Sequence, residues 1–172
     1  MKYFSAVMVV LSALLYAPFV HAQEHGHEHD GHKHLRNEIG ISGGAFYSYE
    51  HREWGSGIHM HYFRTMGLHS NWSLGASLEQ AWVDGNHVNV GIGIKYQLFT
   101  RLNIATFPGV TFFSHGDEGH DHSSLPAKFT LHFELVYDLF HWDNFHFGPV
   151  IDYSWSKNHS HSMIGIHAAF CF

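Results

Sequence analysis

The sequence predicts an all-β protein, an eight-stranded antiparallel up-and-down transmembrane β-barrel with a disordered His-rich N-terminal tail. Three observations predict it. From Glu38 onward apolar residues recur every second position, not at the helical period of roughly 3.6. The alternating runs are about ten to twelve residues long, as a bilayer-crossing strand of about 9–11 requires, whereas ordinary strands average about five or six. Lastly, no stretch after Ala22 is apolar for the roughly 18 residues of a spanning helix, so a membrane protein of this composition has to be a closed barrel.

The chain opens with Lys2 and an apolar run from Tyr3 to Val20 that ends in "VHA" before Gln23, the pattern of a secretory signal peptide over 1–22 cleaved after Ala22. The residue directly after that cut is Gln23 and not cysteine, so a lipoprotein is not expected, and Cys171 alone cannot form an intrachain disulfide. Residues 23–36 form the His-rich tail, and 37–172 the barrel.

Along the barrel, weaker alternating runs at 38–49, 57–66 and 71–82 lead to the clearest one, "HVNVGIGIKYQL" at 87–98. There Val88, Val90, Ile92, Ile94, Tyr96 and Leu98 share one face, and His87, Asn89, Gly91, Gly93, Lys95 and Gln97 the other. A run at 103–113 follows, then "KFTLHFELVYD" at 128–138, a run at 145–155 and the closing "MIGIHAAFCF" at 163–172. Pro108 and Pro149 fall inside strands, where each removes a ladder bond, and bulges are expected at both. The connections "GLHS", "TRLN" and "LFHWDN" are short, whereas those after the first, fifth and seventh strands carry charge and histidine, the longest being "SHGDEGHDHSSLP" at 114–126.

The two faces decide between a soluble barrel and a membrane one. A lipocalin-like barrel would turn the apolar face inward and the other to water. Here the polar face is mostly Gly, Ser, Asn and isolated ionisable groups, which suits a narrow lumen filled by side chains. The apolar face is continuous, with Trp72, Trp82, Tyr96, Tyr137 and Trp155 near strand ends, as in the aromatic girdles of a barrel in lipid.

The signal peptide, the eight amphipathic strands and the terminal "HAAFCF" ending in Phe172 resemble the small eight-stranded outer-membrane barrels of Gram-negative bacteria. The resemblance spans residues 37–172 and is one of pattern. It implies an outer-membrane location, the lipid bilayer and the barrel-assembly machinery as partners, short periplasmic turns, and both termini on the periplasmic side. It implies no function, since such barrels include adhesins, enzymes, binding proteins and pores.

Histidine is the chemical signal. "QEHGHEHDGHKH" at 23–34 places His25, His27, His29, His32 and His34 in the tail; His115, His120 and His122 lie in the long loop, and His159 and His161 in "SKNHSHS", read as another loop. Imidazole, with a pKa of about 6.5, is mostly neutral at pH 7 and binds Zn²⁺, Cu²⁺ and Ni²⁺. These ten residues are therefore the expected metal ligands, with zinc favoured and Cu²⁺ or Ni²⁺ possible, and His120 and His122 are expected to meet His159 and His161 across the outer rim. Between the two sides run Glu38, His59, His61, Glu79, His132, Glu134, Asp138, His146, Asp152 and His167, expected to form a luminal network with Lys95 and Lys128.

The expected function is capture, buffering or assisted uptake of transition metal. The alternative is a structural or adhesive barrel, and the third reading a lipid A-modifying enzyme. No HExxH, GxSxG or phosphate loop is present, so no catalytic residue is assigned; Ser160 with His161 or His167 and Glu134 is the one triad that can be drawn. A net charge of −6 with no basic patch argues against nucleic acid.

Overall fold

The computed structural model describes residues 36–67, 70–83, 85–114, 127–157 and 159–172. The signal-peptide and tail regions lie outside the described residues, as does most of the 114–126 connection with His115, His120 and His122. The strands are β1 (Asn37–Ser48), β2 (Glu53–Thr65), β3 (Trp72–Trp82), β4 (Asn86–Phe99), β5 (Leu102–Ser114), β6 (Ala127–Tyr137), β7 (Phe140–Trp142), β8 (Phe145–Ser156) and β9 (His159–Cys171). Every pairing is antiparallel: β1 to β6 pair in sequence order, β6 and β7 both pair with β8, β8 pairs with β9, and β1 pairs with β9 to close the cylinder. Two backbone bonds, Asn37 N–H to the Phe172 carbonyl (3.0 Å) and Phe172 N–H to the Asn37 carbonyl (2.8 Å), finish the seam. Both ends of the described barrel thus lie at one rim, called here the terminus end; the other is the loop end.

Eight long strands form the wall, as the sequence predicts. The three-residue β7 continues β6 after a break: Tyr137, Asp138 and Leu139 stand opposite Gly148 and Pro149, between the pairs Val136↔Val150 and Phe140↔Phe147. That extra residue is the bulge expected at Pro149. It also accounts for Gly148, where a Cβ would collide with the Tyr137 carbonyl. Pro108 behaves differently, and the expected bulge is absent. The β4–β5 register runs unchanged from Gly91↔Gly109 to Ile94↔Thr106, with pairing skipped at Ile92 and Gly93. The missing N–H is absorbed by a gap in one ladder, because Pro108 still pairs with Leu131 on the other side.

The faces are inverted relative to a water-soluble protein. Ile92 is 70% exposed, Ile164 62% and Phe129 61%, while His59 and Glu79 are each 1% exposed and Asp152 2%. An outward surface of this kind matches hydrocarbon, and the closed sheet satisfies its backbone without water. Exposed Trp54, Trp82 and Trp155 ring the loop end; Trp72, Tyr137 and Trp142 ring the terminus end. Inside, the apolar side chains are few, chiefly Phe46 and Met163 toward the loop end and Phe63 and Phe107 toward the terminus end. The rest of the interior is largely polar, with histidines and carboxylates set among Ser, Thr and Asn.

Candidate functional site: a histidine and carboxylate column in the lumen

Strand parity sends the polar residues inward, and the ladder registers stack them at successive heights. At the terminus end Glu38 on β1 pairs with the Lys95 ammonium on β4, so that half of the expected network is present. His61 Nε2 lies 3.4 Å from Glu38 Oε1, and the His167 ring stacks on His61 with centroids 5.2 Å apart. Cys171 Sγ is 2.9 Å from His146 Nε2. Lys128 does not join the network; its ammonium sits 4.7 Å over the Phe113 ring near the loop end.

At mid-height Glu134 on β6 accepts a bond from His59 Nδ1 at 2.9 Å and a longer one from Ser42 Oγ at 3.4 Å. His132 lies between two more carboxylates, its Nδ1 3.2 Å from Glu79 Oε2 and its Nε2 3.8 Å from Asp152 Oδ2. Asp152 also accepts the Met163 N–H at 3.0 Å.

Toward the loop end the other oxygen of Glu79 faces two further imidazoles. His161 Nε2 is 3.3 Å from Oε1, and His87 Nε2 is 4.0 Å from the same atom. His159 completes the group, with ring centroids 4.8 Å from His87 and 5.6 Å from His161. Each of the three offers a nitrogen such that the three atoms lie within 4.8 Å of one another. Phe113 covers the group, 4.8 Å from the His159 ring.

Charge sets the two levels apart. Among the described residues the ion pairs of Glu79, Glu134 and Asp152 are all with histidine, and only Glu38 has a lysine. Many of these atoms also approach without closing a hydrogen bond: both nitrogens of His61, His87, His161 and His167 and both oxygens of Glu79 are buried with their bonding capacity unspent. Buried carboxylates need neutralisation, and here it comes from a proton, on the carboxylate or on imidazole, or from a cation held between them.

The sequence placed His159 and His161 in an outer loop, free to meet His120 and His122. The structure corrects this: they start β9, the pair Ser156↔His159 closes a tight hairpin, and both side chains are buried in the lumen. Of the luminal candidates, His59, His61, Glu79, His132, Glu134, Asp152 and His167 are fully inside, while His146 is only half-buried. His87 was the residue missed; its inward parity at the head of the clearest alternating run was the available signal. The Ser160 triad is not assembled. Ser160 faces away from its histidine neighbours, and its N–H and Oγ donate to Glu50 at 2.8 and 2.9 Å. Burial works to raise the Glu50 carboxyl, but those two bonds outweigh it and hold the group below its ordinary value.

No protein-family model and no curated protein sequence matches the chain. In structure it is similar to Neisserial surface protein A (TM-score 0.60, 9% identity, covering 79% of this chain and 97% of that one). It is similar also to Ail, the attachment invasion locus protein of Yersinia pestis (TM-score 0.56, 14% identity, 81% and 100% covered). The N-terminal β-barrel domain of Pseudomonas aeruginosa OprF matches as well (TM-score 0.55, 12% identity, 80% and 98% covered). The chain therefore has the fold of the small eight-stranded outer-membrane barrels, over nearly the full length of each.

Proposed function

We propose that the chain is a closed, non-conducting barrel of the Gram-negative outer membrane, with a structural or adhesive role exercised through the connections at its loop end. The observation that carries the reading is the filled lumen. His59, Glu79, His132, Glu134 and Asp152 occupy its middle at no more than 2% exposure, and an eight-stranded cylinder is only just wide enough for its own side chains. A barrel with no aqueous path acts at its rims. The fold shared with the attachment protein Ail supports the same reading.

The bilayer and the barrel-assembly machinery are the partners this implies, with the loop end outward and the His-rich tail in the periplasm. Another Ail structure is a complex with the heparin analogue sucrose octasulfate. Residues 114–126 here carry Asp117, Glu118 and Asp121 and no Lys or Arg, so the charge of this loop selects against a sulfated partner. Planar-bilayer recording of the refolded chain tests the closed lumen: a flat trace is expected, and ohmic single-channel steps would overturn it. Cells carrying the barrel with 115–126 replaced by Gly-Ser repeats should lose attachment if the role is adhesive, and keep it if it is structural.

The other reading is transition-metal capture, with zinc ahead of copper and nickel, by His25, His27, His29, His32 and His34 in the tail and His115, His120 and His122 in the loop. One observation favours a metal role: the burial of His159 and His161 beside His87 and Glu79.

A further inference from the structure

We propose that His87, His159, His161 and Glu79 form a transition-metal site inside the loop end of the barrel, separate from the tail and outer-loop histidines. It is independent of the structural or adhesive role. The donor set is three imidazoles and one carboxylate, the composition that suits tetrahedral Zn²⁺ and related divalent ions and does not suit Mg²⁺ or Ca²⁺. The geometry is close to closure. Zn–N bonds of about 2.0–2.1 Å put ligand atoms about 3.3 Å apart in a tetrahedron. His161 Nε2 and Glu79 Oε1 already stand at 3.3 Å, and the three imidazole donors lie within 4.8 Å of one another. Rotation of His87 and His159 about their side-chain bonds covers the remainder.

Two further observations point to an ion there. His87 Nε2, His161 Nε2 and Glu79 Oε1 face one another and are buried with no hydrogen bond closed, an arrangement that costs free energy unless something fills the space between them. Among the described residues Glu79 also lacks the ammonium partner that Glu38 has, and a divalent cation would supply its missing charge. Its second oxygen, 3.2 Å from His132 Nδ1, would then tie the site to the mid-lumen network. Access is short, because His159 is the first residue of β9.

The test uses the full mature chain refolded in detergent, with His25, His27, His29, His32, His34, His51, His69, His115, His120 and His122 changed to Asn so that the tail and connection histidines are removed. Titration with Co²⁺, read by its visible absorption, should give one equivalent with the intense bands of a four-coordinate ion, displaced by Zn²⁺. His161→Gln and His87→Asn should each weaken binding on the order of 100-fold, while His146→Asn at the opposite end should leave it unchanged. Absence of the bands, or their appearance in His161→Gln with unchanged affinity, overturns the site. Heat-shifted gel mobility reports whether each variant has folded. Should either fail to fold, X-ray absorption on the zinc-loaded parent decides instead: three imidazole nitrogens and one oxygen at about 2.0 Å are expected, and a six-oxygen shell overturns the proposal. Attachment by cells carrying His161→Gln should be unaltered, which separates failure of this site from failure of the adhesive role.

Discussion

At the terminus end of the lumen Glu38 faces the ammonium of Lys95, whereas at the loop end the ion-pair partners of Glu79 among the described residues are all imidazoles. Both regions set a carboxylate against basic side chains, the terminus end keeping some exposure and the loop end almost none. Their charge differs in permanence. An ammonium is positive throughout the physiological range, so the terminus end is a fixed plug. An imidazole is positive only while it holds a proton or a metal, so the charge at the loop end can be exchanged.

That contrast breaks most readily at Lys95. Lys95→Met strands Glu38 and should cost about 3 kcal/mol, the low end for a broken buried pair because both side chains keep some exposure. The matching change at the other end, His161→Gln without metal, should cost only about 1 kcal/mol, an ordinary core substitution. Urea unfolding in lipid vesicles measures both, and a reversed order would dissolve the distinction. Zinc sharpens it. At about 100 times the parent's dissociation constant it should add about 2.7 kcal/mol to the parent and to Lys95→Met alike, and only about 0.4 kcal/mol to His161→Gln, whose binding is about 100-fold weaker.

A smaller effect separates the inside of the wall from the outside. A Cβ at Gly40 would press on the His61 and His167 rings, so Gly40→Ala should cost about 2 kcal/mol, whereas Gly43→Ala meets only ordinary contacts and should stay within about 0.5 kcal/mol. Denaturation midpoints of the two single variants decide that.

The least effect lies at the outer rim of the loop end. Glu50 titrates below its ordinary value of 4.5, so its link to Ser160 is intact above that pH and is lost as pH falls through the lower folded value. Glu50→Gln should erase a slight acid sensitivity in the unfolding midpoint below about pH 4.3 and change nothing at neutral pH. Unfolding curves for the two proteins that stay parallel into the acid range would remove Glu50 from the argument.

The wall was legible in the sequence because a two-residue period is a local signal. "HVNVGIGIKYQL" declares both of its faces without reference to any other strand. Parity also identified His59, His61, His132 and His167 as inward. Height was not legible. Strands in a barrel are tilted and staggered, so which inward residues share a level depends on the register of each pair, and that is a property of partners far apart in the chain. His87, His159 and His161 meet only because β3 pairs with β4 at Ala81↔His87 while β8 and β9 pair at Ser154↔His161. "SKNHSHS" was misread for a local reason: its Lys, Asn and Ser have turn chemistry, and the turn they make is so short that the strand resumes at His159.

The seam between β1 and β9 has a temporal meaning. The cylinder is joined by the first and last of its strands, through bonds between Asn37 and Phe172, so no intermediate length of chain can round itself off. Until β9 arrives, β1 presents a bare edge of unpaired amides and carbonyls. The polar filling has no wall behind which to hide, and closure and burial of the histidines become a single late event. That edge is the part of the unclosed chain most open to pairing with another chain until the final strand is delivered.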